Sequence, residues 1–291
     1  MKPPPFVYHR PGDVDEALDT LAEVGSDGKI LAGGQSLVPL MSMRLAAPAH
    51  LIDINGLAEL GDVLVGHDGV QVGAIVRHAE LERHEAAFAA QPLLRQALRY
   101  VAHPTIRNRG TSVGSLAHAD PAGELTAVLA LLGGTMTLRS RAGDRTVAAA
   151  DFFLGPLESA VGPTELATGA HFPPLPRRTG TAWAELSRRN GDYAICGVGV
   201  LVTLDDDRRI ATARVGLISV GPTPLVIDVG EALAGRPADA LDAGEAARYV
   251  QDAVDPDPDI HATAEYRRHL AGVLTARALA DATDRALEAT T

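Results

Sequence analysis

Two stretches of small residues carry the most specific chemistry in this chain. In the first, Ala32, Gly33, Gly34, Gln35 and Ser36 lie between the apolar pair Ile30 and Leu31 and a helical pattern opening at Leu37. Adjacent glycines reach left-handed conformations and leave consecutive peptide N–H groups open, which makes a concave anion nest just ahead of a helix N-terminus. Such a nest suits phosphate. The same residues also suit a tight strand-to-helix turn whose glycines serve geometry alone. In the second stretch, Thr111, Ser112, Val113, Gly114 and Ser115 follow Arg107, Asn108, Arg109 and Gly110, and precede His118, Asp120, Pro121 and Glu124. Two such stretches, distant in sequence, suggest a long ligand held at two places.

Other chemistries fall away. Only two of the 26 basic side chains are lysine, Lys2 and Lys29. Lys29 follows Gly28 without the spacing of a Walker loop, and neither lysine reads as a Schiff-base former. The single cysteine, Cys196, forms no internal disulfide, cysteine-ligated iron–sulfur cluster or structural zinc site, so any such redox centre belongs to another chain. Gln35, Ser36 and Leu37 follow Gly34, but Val38 stands where a nucleophile elbow closes on glycine. Gly197, Val198 and Gly199 lack the full dinucleotide fingerprint and read as strand, with Cys196 a small buried apolar residue beside them. His118 and Asp120 make a poor metal site without a third ligand, and no metal is assigned. A net charge of −11 with no basic patch argues against nucleic acid. The N-terminal residues lack an apolar signal core and no run reaches membrane-spanning length, so the expected location is cytoplasmic.

The elements that must position these stretches follow from periodicity. Asp13 and Glu16 form a capping box for a helix burying Val14, Ala17, Leu18 and Leu21, which Gly25 stops. Strands at 29–31 and 51–54 and a helix over 37–45 complete a small α/β lobe ending near Gly56. A second lobe begins with a hairpin, 62–65 with 70–74. Helices follow at 78–85 and 93–101, then one capped by Asp120 with Pro121 as its first residue and Glu124 in its first turn. A further hairpin (135–138 with 146–149) and a strand at 165–171 close that lobe. Phe172, Pro173, Pro174, Leu175 and Pro176 cannot continue a sheet ladder, which places a boundary near Arg177. Beyond it, strands at 181–187, 194–204 and 211–220 predict a three-stranded antiparallel sheet covered by helices from about 225 and 262 onward. The expected class is α+β, with units 1–56, 57–176 and 177–291.

The two small-residue stretches, with Tyr100 to Pro104 between them, resemble the FAD-binding medium subunit of the molybdenum hydroxylases, the carbon monoxide dehydrogenase and xanthine dehydrogenase group. The resemblance runs from about Phe6 to the C-terminal helix. Ala32 to Ser36 match the family's Ala-Gly-Gly-x-Ser in full. Thr111 to Ser115 depart from Thr-Ile/Val-Gly-Gly-Asn/Ser, since Val113 replaces a glycine; a β-branched residue sits poorly at positive φ, so either the position needs no special backbone or the loop is altered. The resemblance implies a two-lobed FAD-binding domain of the PCMH type and a C-terminal medium-subunit domain. It further implies that Ala32, Gly33, Gly34, Gln35, Ser36, Leu37, Thr111, Ser112, Val113, Gly114, Ser115 and His118 line the cofactor, with Val101 and Ala102 against it. Glu124 reads both as a complement to a helix dipole and, by resemblance, as the group on a ribose hydroxyl. Arg188 to Tyr193 resemble the family's basic, Gly-Asp-aromatic segment, which brings Tyr193 toward the isoalloxazine; the residues alone also fit a capped turn before a core tyrosine.

The function so implied is non-covalent FAD in an electron-transfer subunit, with no catalytic acid or base of its own. A large subunit would carry molybdopterin and a small one two 2Fe–2S clusters, assembled as a dimer of heterotrimers. Two other readings share these features. A stand-alone FAD-dependent oxidoreductase would need a substrate pocket with an acid or base, and a scaffold subunit of the same fold would carry no flavin, as the change at Val113 would favour.

Overall fold

The computed structural model describes residues 2–289; Met1, Thr290 and Thr291, which the expected first and last units include, lie outside it. The expected α+β class holds. The first sheet is parallel, in the order β1 (Val7–His9), β3 (His50–Asp53), β2 (Gly28–Leu31). Parallel neighbours need crossovers. Helices α1 (Val14–Val24) and α2 (Leu37–Ser42) supply them. Asp13 caps α1 by accepting the Glu16 N–H at 2.8 Å, while the Glu16 carboxylate reaches back to the Gly12 N–H. That is one residue before the expected reciprocal bond. Strand β1, three mostly exposed residues, has too little apolar pattern to be read from sequence.

The second sheet is antiparallel. It orders β4 (Val63–Gly66), β5 (Gly69–Gly73), β10 (Leu166–Phe172), β6 (Thr135–Ser140) and β7 (Gly143–Ala148), so the last strand made lies at its centre. Between β5 and β6 run α3 (His78–Arg83), α4 (Glu85–Ala90), α5 (Pro92–Leu98), α6 (Pro104–Arg107), α7 (Ser112–His118) and α8 (Glu124–Leu132). The expected helix over 78–85 breaks at His84, whose extended backbone and ring Nδ1 cap α4 through Ala87 N–H. Helix α8 starts later than expected. The Asp120 carboxylate accepts from Ala122 N–H in a side-chain turn, leaving Gly123 as the cap and Glu124 as the first helical residue. Short elements α9 (Ala149–Phe152), β8 (Phe153–Gly155) and β9 (Glu158–Ser159) link β7 to β10. Residues of both lobes, with Trp183, Ala194 and Ile218, pack into one core.

The third sheet runs in sequence order: β11 (Thr179–Ser187), β12 (Ala194–Leu204), β13 (Ile210–Ile218) and β14 (Leu225–Asp228), all antiparallel. It therefore has four strands, and residues 225–228, expected to open a helix, are the fourth. Three apolar residues, Leu225, Val226 and Ile227, are too short a run to distinguish the two periods. Only at Gly230 does a one-turn helix, α10 (Gly230–Leu233), begin. Helices α11 (Gly244–Ala253) and α12 (Ala264–Glu288) cover the sheet; α12 buries Leu270, Leu274, Ala278, Leu279, Ala282 and Ala286 in a second core. Among the described residues no helix is long and apolar enough to cross a membrane.

Candidate cofactor cleft

The first small-residue stretch leaves β2 and enters α2, and it leans directly on the second. A β-carbon at Gly33 would stand 2.4 Å from the Arg109 carbonyl oxygen and 2.6 Å from the Gly110 Cα. Gly34 adopts φ of 71°, where other residues are strained. The N–H groups of Gly33, Gly34, Gln35, Ser36 and Leu37 meet no protein acceptor among the described residues, and the Ser36 side chain makes no capping bond. Five consecutive open donors are costly unless water or a ligand accepts from them.

Two residues that sequence reasoning missed hold this meeting together. Asn55, just after β3, donates from Nδ2 to the Ala32 carbonyl at 2.8 Å and is itself fixed by the Asp53 carboxylate. Arg77 donates to Asn55 Oδ1 at 2.5 Å and to the Arg109 carbonyl at 2.6 Å, spanning both stretches. Burial, then the neighbouring Arg109 charge, lower the Arg77 pKa, yet a guanidinium stays charged. The Arg77 guanidinium therefore stands where the two stretches meet, within reach of the Arg109 charge. Asn55-Gly56 gave only a turn signal in the sequence, and Arg77 gave none.

The second stretch is a helix start. Thr111 caps α7, its Oγ1 accepting from Gly114 N–H, and Ser112 N–H is taken by the Val76 carbonyl. Val113 lies in the right-handed helix and is 1% exposed in the core. The position needs no special backbone, which resolves the departure from the family pattern. Thr111, Ser112 and Val113 are buried; the Thr111 hydroxyl is held in the cap, while Ser112, its Oγ 3.4 Å from His78 Nδ1, and Val113 pack in the interior. Gly114 and Ser115 are half-buried, and Gly114 faces Ala32 of the first stretch. His118 lies half-buried in the last turn of α7.

The remaining expected residues meet on the other side. Ala102 takes φ of 41°, and the Val101 and Ala102 carbonyls both accept from Arg107 Nη1, at 2.9 and 3.0 Å. His103 packs its ring against the bare Cα of Gly191, where a β-carbon would lie 2.4 Å from Cε1. This brings the 188–193 turn over the 101–103 segment. Tyr193, expected beside the ligand, is 73% exposed rather than a core tyrosine. Partial desolvation, then the negative charges of Asp120 and Glu124, raise its phenol. The Glu124 carboxyl is itself raised, by burial first and then by Glu185; Arg107 opposes weakly.

Comparison with known proteins decides what such a cleft is. Residues 4–175 match the FAD binding domain in molybdopterin dehydrogenase, and residues 181–282 the carbon monoxide dehydrogenase flavoprotein C-terminal domain. The chain belongs to this family of FAD subunits. The chain is similar to caffeine dehydrogenase subunit beta of a Pseudomonas species, 40% identical over 98% of this chain and 97% of that one. It also resembles the carbon monoxide dehydrogenase medium chain of Afipia carboxidovorans, 34% identical over 98% and 99%. Among solved structures, quinoline 2-oxidoreductase from Pseudomonas putida 86 superposes with a TM-score of 0.93 at 33% identity, covering 99% of this chain and all of that one. Like those relatives, this FAD subunit is part of an oxidoreductase, and the resemblance read from its sequence holds. Its cleft fits the cofactor: five open amides beside the Arg77 guanidinium suit a pyrophosphate, and an exposed aromatic face suits a flat ring.

Proposed function

We propose that the cleft binds FAD without a covalent bond and that the chain relays electrons in a heterotrimeric molybdenum hydroxylase. The chemistry that bound FAD supplies is acceptance of electrons from 2Fe–2S clusters on a small subunit and their delivery to an external acceptor. A large molybdopterin subunit selects and oxidises the substrate. In this reading the complex is a cytoplasmic dimer of heterotrimers, and units 1–56, 57–176 and 177–291 are two FAD lobes and a C-terminal domain. Amides of Gly33 to Leu37, with the Ser36 hydroxyl, bind pyrophosphate beside Arg77 and Arg109. Ala32 and Gln35 shape that turn, and Thr111, Gly114 and Ser115 close it from the opposite lobe. Glu124 orients a ribose hydroxyl, His118 lines the same face, and Val101, Ala102 and Tyr193 enclose the isoalloxazine.

The observation that carries this reading is the run of five open amides pressed against Arg109 and Gly110. Its test is the visible spectrum of the chain expressed alone, with released flavin identified by chromatography. One FAD per chain is expected, and Gly34→Val should lose it while far-ultraviolet circular dichroism stays unchanged. No FAD after reconstitution with both partner subunits would defeat the reading.

A further inference from the structure

Ser219 stands where the C-terminal sheet meets the cofactor cleft. It is the first residue after β13, and its φ of 62° is one that residues other than glycine rarely adopt. Three bonds hold it there. Its N–H donates to the Pro121 carbonyl at 2.9 Å, its hydroxyl donates to the Ala194 carbonyl at 2.8 Å, and its own carbonyl accepts from Arg267 Nη1 at 3.0 Å. Pro121 lies in the turn that Asp120 closes just ahead of Glu124, and Ala194 follows Tyr193 directly. One serine thus joins the loop that leads to Glu124 with the residue that carries Tyr193 out of the sheet.

Arg267, near the start of α12, fixes the serine in turn. The ladder between β12 and β13 runs only as far as the Gly197 and Ile218 pair, and past that point the same Nη1 reaches both the Ser219 carbonyl and the Ile195 carbonyl, the latter at 2.6 Å. Nη2 pairs with Asp259 at 2.7 Å, a carboxylate whose other oxygen accepts from the His261 and Ala262 N–H groups. Arg267 is 6% exposed and its Nε finds no acceptor among the described residues, so this buried guanidinium is kept for what its two terminal nitrogens hold. The turn from 188 to 193 is itself mostly exposed, and the register of β11 on β12 slips between Leu186 and Ser187 at its base. Its outer end rests on His103 through Gly191, so its inner end, at Ala194, decides where the Tyr193 ring stands.

We propose that Ser219, held by Arg267, is a positioning residue for the flavin: bonded to the Ala194 and Pro121 carbonyls at once, it sets the distance between Tyr193 and the Glu124 loop, and with it how closely the ring covers the isoalloxazine. The proposal rests on the assignment of Tyr193 to the flavin face. The strain at Ser219 is retained because glycine, which would relieve it, has no hydroxyl for Ala194.

Ser219→Gly is the decisive variant. It keeps the N–H bond to Pro121, relieves φ and removes only the hydroxyl, so the fold and the urea midpoint should hold. In the FAD-loaded full chain, stopped-flow bleaching by sulfite should nonetheless quicken roughly two- to ten-fold, the change in population that one net hydrogen bond commands. Combined with Tyr193→Ala, the same substitution should add nothing further, because the serine acts through the ring. An unchanged rate in Ser219→Gly where Tyr193→Ala raises it, or an equal gain with and without the ring, would overturn the proposal. If Tyr193→Ala alone leaves the rate unchanged, the assignment of Tyr193 to the flavin fails instead. Hydrogen exchange of the full flavin-free chain then decides the serine's role: faster exchange over 188–195 in Ser219→Gly, with 210–218 unchanged, upholds it, and exchange equal to wild type overturns it.

Discussion

The Cα of Gly33 lies so close to the Arg109 carbonyl that a β-carbon would stand 2.4 Å from its oxygen. Both contacting groups are backbone, so neither can swing aside. Gly33→Ala should force the two stretches apart at a cost of about 1–3 kcal/mol and release FAD. Bound flavin and the urea midpoint check this; a wild-type complement of flavin would show that the contact does not set the cleft's width.

Arg77 joins the stretches through Asn55 and the Arg109 carbonyl. Arg77→Met removes both donors and leaves two acceptors unmatched, at a cost of about 1.5–3 kcal/mol. FAD affinity should drop with it. In a double-mutant cycle, Asn55→Ala and Arg77→Met should cost less together than the sum of the single changes, by at least about 0.5 kcal/mol. Strict additivity would mean the bond carries no energy.

His78 is buried beneath Gly110, and burial, with Arg107 adding repulsion, lowers its pKa to about 4. The unfolded chain takes up this proton near pH 6.5 and the folded chain only near 4. Its contribution is therefore complete above about pH 6.5 and is lost as pH falls between those values, by on the order of 3 kcal/mol. Urea midpoints at pH 7 and 5 should differ more in the wild type than in His78→Gln. Equal differences would place the acid sensitivity elsewhere.

Tyr193 is 73% exposed and makes no side-chain hydrogen bond among the described residues. Tyr193→Ala should shift stability by no more than about 0.5 kcal/mol. Yet sulfite and oxygen should reach the flavin faster once the ring is gone, and stopped-flow bleaching reads this directly. Unchanged rates with FAD in place would remove Tyr193 from the flavin face.

Much of the cleft was legible because its residues carry compositional signals. Gly33, Gly34, Ser36 and the Gly191-Asp192-Tyr193 turn are rare combinations with few physical uses. Val113 looks out of place only in a loop; in a helix, a buried valine is ordinary. Asn55 and Arg77 were illegible because each is an unremarkable polar residue whose role lies in partners 22 and 32 residues away. Gly197 and Gly199 resembled a nucleotide motif, yet they clear space for an indole. Strand β14 differs for another reason: its four residues, Leu225 to Asp228, pair with β13 by tertiary contact, and so short a local pattern does not decide between strand and helix.

Helix α12 is made after every strand it covers, and its packing against β11 joins positions about a hundred residues apart. During synthesis the C-terminal sheet therefore emerges with one apolar face bare and waits for the last helix before it can close. Chaperone binding should concentrate on nascent chains that have passed β13 but not yet released α12. Truncations just short of this helix should yield insoluble protein rather than a smaller folded flavoprotein.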